Sequence, residues 1–326
     1  MSGIAGIARA GEKKAVEGML DRIAHRGPAG RGLIETENAT LGLVWTKAQE
    51  RATDILKRDK TVLDGAGPGR FASARETAGG LCLTRDPLGA APLYHGLDSN
   101  GTLCFASEVK ALAPLAGRVS ELQPGHRLEN GAPVRYFTLK KETPADDPPM
   151  TIANNLKHIL SSAVEKCAGG DTAGAWLSGG LDSSVLSALA RKHVPRLHTF
   201  ASGFEGAPDL EYAREAARFI GSEHHEVIVD IDILLEALPS VIFHLESFDA
   251  LLVRSSAANN LVAKRASEYV GAVFSGEGGD ELFAGYEYIK SLDPSSIADE
   301  LVDIIGRLHN TALQRVDRSA SAHGTV

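Results

Sequence analysis

Between Ala173 and Lys192 the chain reads AGAWLSGGLDSSVLSALARK, and no other stretch constrains the fold as tightly. AGAWL reads as a buried strand and Ser184 to Lys192 as a helix, with two adjacent glycines in the turn between them. The alternation then continues. LHTFA is a second strand, Asp209 to Ile220 a helix, and HEVIV a third strand. Helical stretches at about Ile233 to Leu245 and Ser255 to Tyr269 lead to a fourth strand, GAVFS. Upstream, Ile152, Leu156, Ile159, Leu160, Ala163 and Val164 share one helical face. Strands that alternate with helices predict a parallel sheet covered on both faces.

The N-terminal part has a different texture. GLCLTRD and TLCFASE read as short strands among frequent glycine and turn signals, which predicts an α+β domain with antiparallel pairing. Thr46 to Ala78 shows little periodicity and reads as an irregular excursion. KKETPADDPPM, Lys140 to Met150, combines three prolines with a charge cluster and reads as a linker. The expected division is a domain over 1–140, a linker over 141–150 and a second domain over 151–326.

The chain has 326 residues and a formal net charge of −8, with no basic excess to neutralise nucleic-acid phosphates. Cys82, Cys104 and Cys167 are too few and too scattered for a disulfide framework or a zinc site. No apolar run approaches the ~20 residues of a membrane span, and no secretory signal opens the sequence. A cytoplasmic, soluble protein is expected.

The turn SGGLDSS has readable chemistry. Gly179 and Gly180 permit positive φ and close backbone approach at a strand end. The helix that follows presents unpaired N–H groups and its positive dipole end, which suits a phosphate. Ser178, Ser183 and Ser184 add hydroxyl donors. Asp182 would repel a phosphate, so its sensible role is to hold a bridging Mg2+. The structural alternative is a glycine turn with a Ser/Asp helix cap. A second loop, FSGEGGDELFAGY, also follows a strand and also joins glycines to acids. Asp280 would supply another magnesium ligand opposite Asp182, with Glu277 in the same crevice, at the carboxyl ends of parallel strands where open α/β sheets bind ligands.

At these residues the chain resembles the asparagine synthetase family, with SGGLDSS similar to the pyrophosphate loop of the N-type ATP pyrophosphatases. MSGIAGI, HRGPAG, LTRDPLGAAPLY, FASEVKAL, TFASGFEG, HHEV, HLESFD and LQRVDRSASAHG agree in order along the chain. The resemblance implies a reduced N-terminal sandwich of the Ntn-hydrolase, class II glutamine amidotransferase type. A parallel-sheet domain of the adenine nucleotide alpha hydrolase type would follow it. It implies ATP with Mg2+, adenylation of a carboxylate, release of pyrophosphate, and attack by ammonia or an amine. Leu177 and Ser202 would contact adenine through backbone, and Ser178, Gly179, Gly180, Asp182, Ser183 and Ser184 would cradle the phosphates. Ser275 and Gly276 would touch the nucleotide, Asp182 and Asp280 would bind magnesium, and Glu277 would face the acyl group and the amine. Asp249 and Arg254, in ESFDALLVRSS, are substrate candidates, an ordinary surface ion pair being the alternative.

The sequence departs from the family pattern in three places. The N-terminal nucleophile, a cysteine in the family, is Ser2, a far weaker nucleophile than a thiol near neutral pH. The zone from Leu43 to Gly69 lacks the family's glutamine-binding arginine and Asn-Gly oxyanion element, which leaves His25 and Arg26 as structural remnants. After LQRVDRSASAHGTV the family continues into an EARVPFLD-type segment carrying a lysine, for which Lys264 and Lys290 are no substitutes.

Lesser signals have ordinary readings. His224 and His225 are adjacent on a strand and point to opposite faces. Trp45 and Trp176 read as core. Tyr286 and Tyr288 read either as pocket walls or as core, and RVDR, Arg315 to Arg318, either as a phosphate contact or as a solvated helix face. The combined expectation is an ammonia- or amine-dependent, ATP-consuming amide ligase placed in asparagine biosynthesis. Its partners would be a small carboxylate and an amine, with a second polypeptide or a homodimer left open and neither nucleic acid nor membrane involved. The alternatives are an ATP-binding pseudoenzyme, one part of a split synthetase, and a lactam or peptide cyclase.

Overall fold

The first strand, β1 (Ser2–Ile7), is buried along its whole length because it has a layer on each side. Ile4 packs on one side with Leu41, Leu43, Phe105 and Leu83, whereas Ala5 and Ile7 pack on the other with Val16, Met19 and Leu20. This period-two division is what a central strand requires. The computed structural model describes residues 2–47, 60–65, 69–141, 143 and 146–326. They fall into two units, one of Met1–Thr138 with Ile242–Asp249 and His309–Val326, the other of Leu139–Val241 with Ala250–Leu308.

In the first unit β2 (Gly30–Glu35), β3 (Thr40–Trp45), β7 (Tyr94–Leu97), β8 (Leu103–Ala106) and β9 (Val119–Glu121) join β1 in a sheet of order β2-β3-β1-β8-β7-β9. A second sheet has order β11-β10-β6-β5-β4, from β4 (Thr61–Gly65), β5 (Phe71–Thr77), β6 (Gly80–Arg85), β10 (His126–Glu129) and β11 (Ala132–Arg135). Every pairing in the two sheets is antiparallel, as the turn-rich sequence predicts. Val62, Ala72, Ala74, Leu81 and Leu83 of the second sheet close the core against Ile4, Leu41, Leu43 and Phe105 of the first. The helix Lys13–Arg22 covers the first sheet's other face with Val16, Met19 and Leu20.

Two expectations change here. The excursion foreseen over Thr46 to Ala78 contains β4 and β5, paired in register from Thr61↔Arg75 to Gly65↔Phe71. The polar inward residue Asp64 breaks the apolar alternation of β4 and hides the strand from a pattern reading. Residues 48–59 and 66–68 of that zone lie outside the described residues. RVDR is neither a phosphate contact nor a solvated face at its end, because Asp317 and Arg318 are 4% and 1% exposed inside the first unit. Their partners are 72 residues or more away in sequence, so no local pattern announces them.

The second unit carries the foreseen parallel sheet, in order β14-β13-β12-β15, from β12 (Thr172–Trp176), β13 (Arg196–Gly203), β14 (Glu223–Ile228) and β15 (Val273–Phe274). Ala173, Ala175 and Leu197 pack against Leu189 and Val164 on one face. Phe200 packs against Val262, Ala266 and Val270 of the helix Ala250–Ser267 and the loop after it on the other. The helix Pro149–Cys167 forms as its periodicity predicts, yet Val164 is the only residue it buries fully, and Ile159 is 63% exposed. His224 and His225 do take opposite faces: His224 Nδ1 meets Thr199 Oγ1 at 3.0 Å, and the His225 ring lies 4.1 Å from that of Tyr269.

Candidate functional site

The β12 strand ends at Trp176, and the turn after it is built as a cradle. Gly179 has φ +79°, and a Cβ there would fall 2.5 Å from Tyr212 Cβ and 2.7 Å from the Ala213 nitrogen. Only glycine satisfies both the left-handed backbone and this approach to the helix Pro208–Ile220. Inside the turn Ser178 Oγ and Ser183 Oγ lie 3.0 Å apart, Gly180 N–H donates to Ser178 Oγ at 3.3 Å, and Ser183 Oγ donates to the Gly180 carbonyl at 3.2 Å. The helix Leu181–Ala190 has no side-chain cap, so the Ser/Asp cap alternative is not what this turn makes. Ser184 Oγ is buried with no hydrogen-bond partner among the described residues. A buried hydroxyl without a partner beside open helix N–H groups suits an anion that arrives from outside.

The acidic loop meets this turn. A Cβ on Gly279 would fall inside the Asp182 carboxylate, and one on Gly276 would fall 3.2 Å from the Ser183 nitrogen. The Asp182 carboxylate therefore lies against the residue preceding Asp280, with the glycines making the approach possible. Asp280 opens the short helix Gly279–Phe283 and is exposed, its carboxylate lying against Gly285. Ser275 Oγ accepts from Glu277 N–H at 3.3 Å, and the Gly276 carbonyl accepts from Gly279 N–H at 3.2 Å. Glu281 was not singled out by sequence. It is 3% exposed and accepts from Tyr286 Oη at 2.7 Å, which pins the loop's exit. Tyr286 stacks on Tyr288 with ring centroids 6.0 Å apart.

Beside the turn an open cavity of about 240 Å³ is lined by Trp176, Leu177, Ser178, Phe200, Ser202 and Asn259. Leu177 N–H donates to the Phe200 carbonyl at 2.9 Å, which ties together the two strand ends that form the cavity floor. Three expected residues, Leu177, Ser178 and Ser202, thus share one wall. Trp176 does pack on Phe200 (centroids 6.1 Å apart), but it lines this cavity rather than being sealed in the core. Asp209, Val262 and Asn259 also line it and went unmarked in the sequence; the helical pattern of their segments gave no sign of a ligand role. Asp249 belongs to the first unit and Arg254 to the second, and both are exposed.

In the first unit the Ser2 position is occupied by a buried charge network. Ser2 is 2% exposed, with Oγ 3.3 Å from the Leu63 carbonyl and 3.2 Å from Asp64 Oδ1. Arg26, fully buried, donates to the Ser2 carbonyl (3.0 Å), Glu108 (3.0 Å), Asp64 (3.2 Å), Ser321 (3.2 Å) and both oxygens of Asp317 (2.9 and 3.2 Å). Arg70 reaches Asp317 at 2.6 Å, and Arg318 reaches Glu108 at 2.6 Å and Glu246 at 3.2 Å. Burial alone would pull the Arg26 pKa down, but Asp317, Asp64 and Glu108 hold it well above its usual value. Burial likewise pushes Glu108 and Asp317 upward, and the guanidinium groups of Arg318, Arg26 and Arg70 overcome it, leaving both carboxyls far below their usual range. His244, stacked edge-on against His25 at 4.6 Å, is driven down to about 3 by burial and then by His25 and Lys110.

The asparagine synthase family model matches residues 155–323, more than half of the chain, and a glutamine amidotransferase domain model matches residues 66–173. The chain belongs to the asparagine synthase family. Asparagine synthetase B [glutamine-hydrolyzing] of Escherichia coli (strain K12) is 34% identical over 264 residues, covering 74% of this chain and 47% of that protein. Asparagine synthetase [glutamine-hydrolyzing] of Rattus norvegicus is 35% identical over 279 residues, covering 74% of this chain and 50% of that protein. This member of the asparagine synthase family thus spans about half the length of the curated relatives it matches. Among solved structures, one titled as the allosteric regulatory enzyme of purine biosynthesis aligns over 69% of this chain and 80% of that chain at 13% identity, with a TM-score of 0.33 too low to bear on function. Among the described residues no helix is long and apolar enough to cross a membrane.

Proposed function

We propose that this chain carries the nucleotide half of an ATP- and Mg2+-dependent amide-forming synthetase, in which a carboxylate, aspartate being the first candidate, is adenylated and pyrophosphate leaves. The observation that carries the reading is the Asp182 carboxylate seated on the Gly276–Gly279 loop, beside an uncapped helix start and the unpartnered Ser184 hydroxyl. Ser178, Gly179, Gly180, Ser183 and Ser184 would hold the phosphates, with Leu177, Ser202, Ser275 and Gly276 against the nucleoside. Asp182 and Asp280 would hold the metal. When bound, Mg2+ neutralises the charge that develops on the departing pyrophosphate. The chain's own part is to fix the phosphates in line through rigid backbone donors and to keep Glu277 beside the acyl group.

The amine source in this reading is ammonia or an amine rather than glutamine. Ser2 is enclosed, and its hydroxyl is already engaged by Asp64 and the Leu63 carbonyl. A nucleophile so held has no approach for an amide substrate. Arg254, in the same unit as the SGGLDSS turn, is the proposed acyl-side contact.

The test is pyrophosphate release with Mg–ATP and a panel of carboxylates that includes aspartate, with ammonium or glutamine as the amine source. The remaining half of a relative is either added or omitted. Carboxylate-dependent pyrophosphate with ammonium but not glutamine is expected. Saturable ATP binding with no pyrophosphate in any combination would overturn the synthetase reading.

A further inference from the structure

The short helix Gly279–Phe283 is turned inside out. Glu281 is buried, whereas its neighbours Leu282 and Phe283 are each more than half exposed. Burying a carboxylate costs free energy and burying leucine or phenylalanine gains it, so the segment's own preferences favour the opposite rotation. A second departure stands at the helix end, where Ala284 takes φ +57°, a left-handed backbone that a Cβ disfavours. Contacts beyond the helix must hold it this way.

Two adjacent pairs across the turn supply the hold. Asp280 and Gly285 form the first: the Asp280 carbonyl accepts from Gly285 N–H at 3.0 Å, and a Cβ on Gly285 would fall inside the Asp280 carboxylate. Glu281 and Tyr286 form the second, with Tyr286 Oη donating to Glu281 Oε1 at 2.7 Å. Among the described residues this hydroxyl is the only hydrogen-bond partner of the Glu281 carboxylate. Tyr286 is in turn anchored outside the loop. Its ring stacks on Tyr288, whose hydroxyl donates at 2.6 Å to Glu300 Oε1 in the helix Pro294–Arg307.

We propose that Glu281 and Tyr286 are positioning residues for Asp280, their hydrogen bond fixing the helix rotation that presents the Asp280 carboxylate to the metal. This rests on the proposed role of Asp280 as a metal ligand. Asp280 and Glu281 are consecutive, so a rotation that brings Glu281 out to solvent carries Asp280 with it, about 100° per residue round the helix axis and away from Gly285. The phosphate donors lie in the SGGLDSS turn, outside this helix, so losing the bond weakens the metal-bound nucleotide and spares the metal-free one.

The experiment is equilibrium dialysis of the full chain with ATP, in Mg2+ and in EDTA. The parent is compared with Tyr286→Phe, Glu281→Ala, Glu281→Gln and the double variant Tyr286→Phe/Glu281→Ala. The parent should bind Mg–ATP at least about tenfold more tightly than ATP in EDTA. Tyr286→Phe and Glu281→Ala should each lower that ratio about fivefold, the scale of one hydrogen bond, and the double variant should lower it no further. Glu281→Gln keeps an acceptor for the tyrosine hydroxyl and should stay within about twofold of the parent. A Tyr286→Phe variant that keeps the parent's ratio, or weakens ATP equally with and without Mg2+, overturns the assignment while the parent's metal-dependent binding stands. Should Glu281→Ala fail to fold, Tyr286→Phe, which deletes a single oxygen, decides together with Glu281→Gln. A parent that binds ATP no better with Mg2+ than in EDTA overturns the metal reading of Asp280 and this assignment with it.

Discussion

Replacing Arg26 by Met is the sharpest perturbation of the first unit. The guanidinium makes six hydrogen bonds, five of them to Asp64, Glu108, Asp317 and Ser321, in a compartment where Asp64 and Glu108 are fully buried. Removing one partner of a buried ion pair costs roughly 3–5 kcal/mol, because the other charge stays behind without solvent. Arg70 and Arg318 still face Asp317 and Glu108, so a loss of about 4 kcal/mol is expected rather than a sum over all six bonds. For a unit of this size that corresponds to roughly 10 °C in Tm. Trp45 pairs directly with Ser2 across β1 and β3, so in a Trp176→Phe background urea unfolding read at Trp45 reports this unit. The pH dependence supplies a second check. In the parent, Glu108 and Asp317 lie below their usual range, so their contribution is complete above about pH 5 and is lost as pH falls through the lowered values. Without Arg26, Arg318 and Arg70 hold the same carboxyls down less strongly against burial, so the variant's deficit should shrink between pH 7.5 and pH 5. A deficit below about 1 kcal/mol, or one of equal size at both pH values, would refute the electrostatic account.

Four further outcomes are expected. Gly179→Ala places a Cβ 2.5 Å from Tyr212 Cβ at φ +79° and should cost about 2–3 kcal/mol together with nucleotide binding, measured by urea unfolding at Trp176 and by dialysis. Asp182→Asn and Asp280→Asn should each weaken Mg–ATP at least about tenfold, while ATP in EDTA changes by less than about twofold. His244, held down to about 3, binds no proton in the folded state at pH values where the unfolded chain does; stability should fall as pH drops from about 6.5, and His244→Asn should flatten that slope in urea midpoints between pH 6 and pH 4. In thiol titration the exposed Cys167 should react first, and the buried Cys104, with its thiol pushed up to about 11, should react last.

The parallel sheet of the second unit was legible because each of its strands is a short apolar run bounded by turn residues and followed or preceded by a helix. The SGGLDSS turn was legible because glycines at a strand end have few other uses. Asp64 was not, since a buried acid at an inward position of β4 looks like a loop residue until its cations are known. Asp317 and Arg318 stand beside each other in RVDR as surface charges would, and Arg26 is 291 residues from Asp317. Asn259 and Asp209 escaped notice for another reason: a cavity wall contributed by separate helices has no spacing to read.

That 291-residue separation sets a clock on the ribosome. At about 5–20 residues per second, Arg26 emerges roughly 15–60 s before the carboxylate that accepts two of its hydrogen bonds. During that interval β1, β3 and β8 can pair, but the compartment between Arg26 and Glu108 holds charges whose counterparts have not been made. The nascent first unit therefore waits in a loosened form for the helix Ala312–Ser321, and a fragment cut at residue 140 would remain in that waiting state permanently.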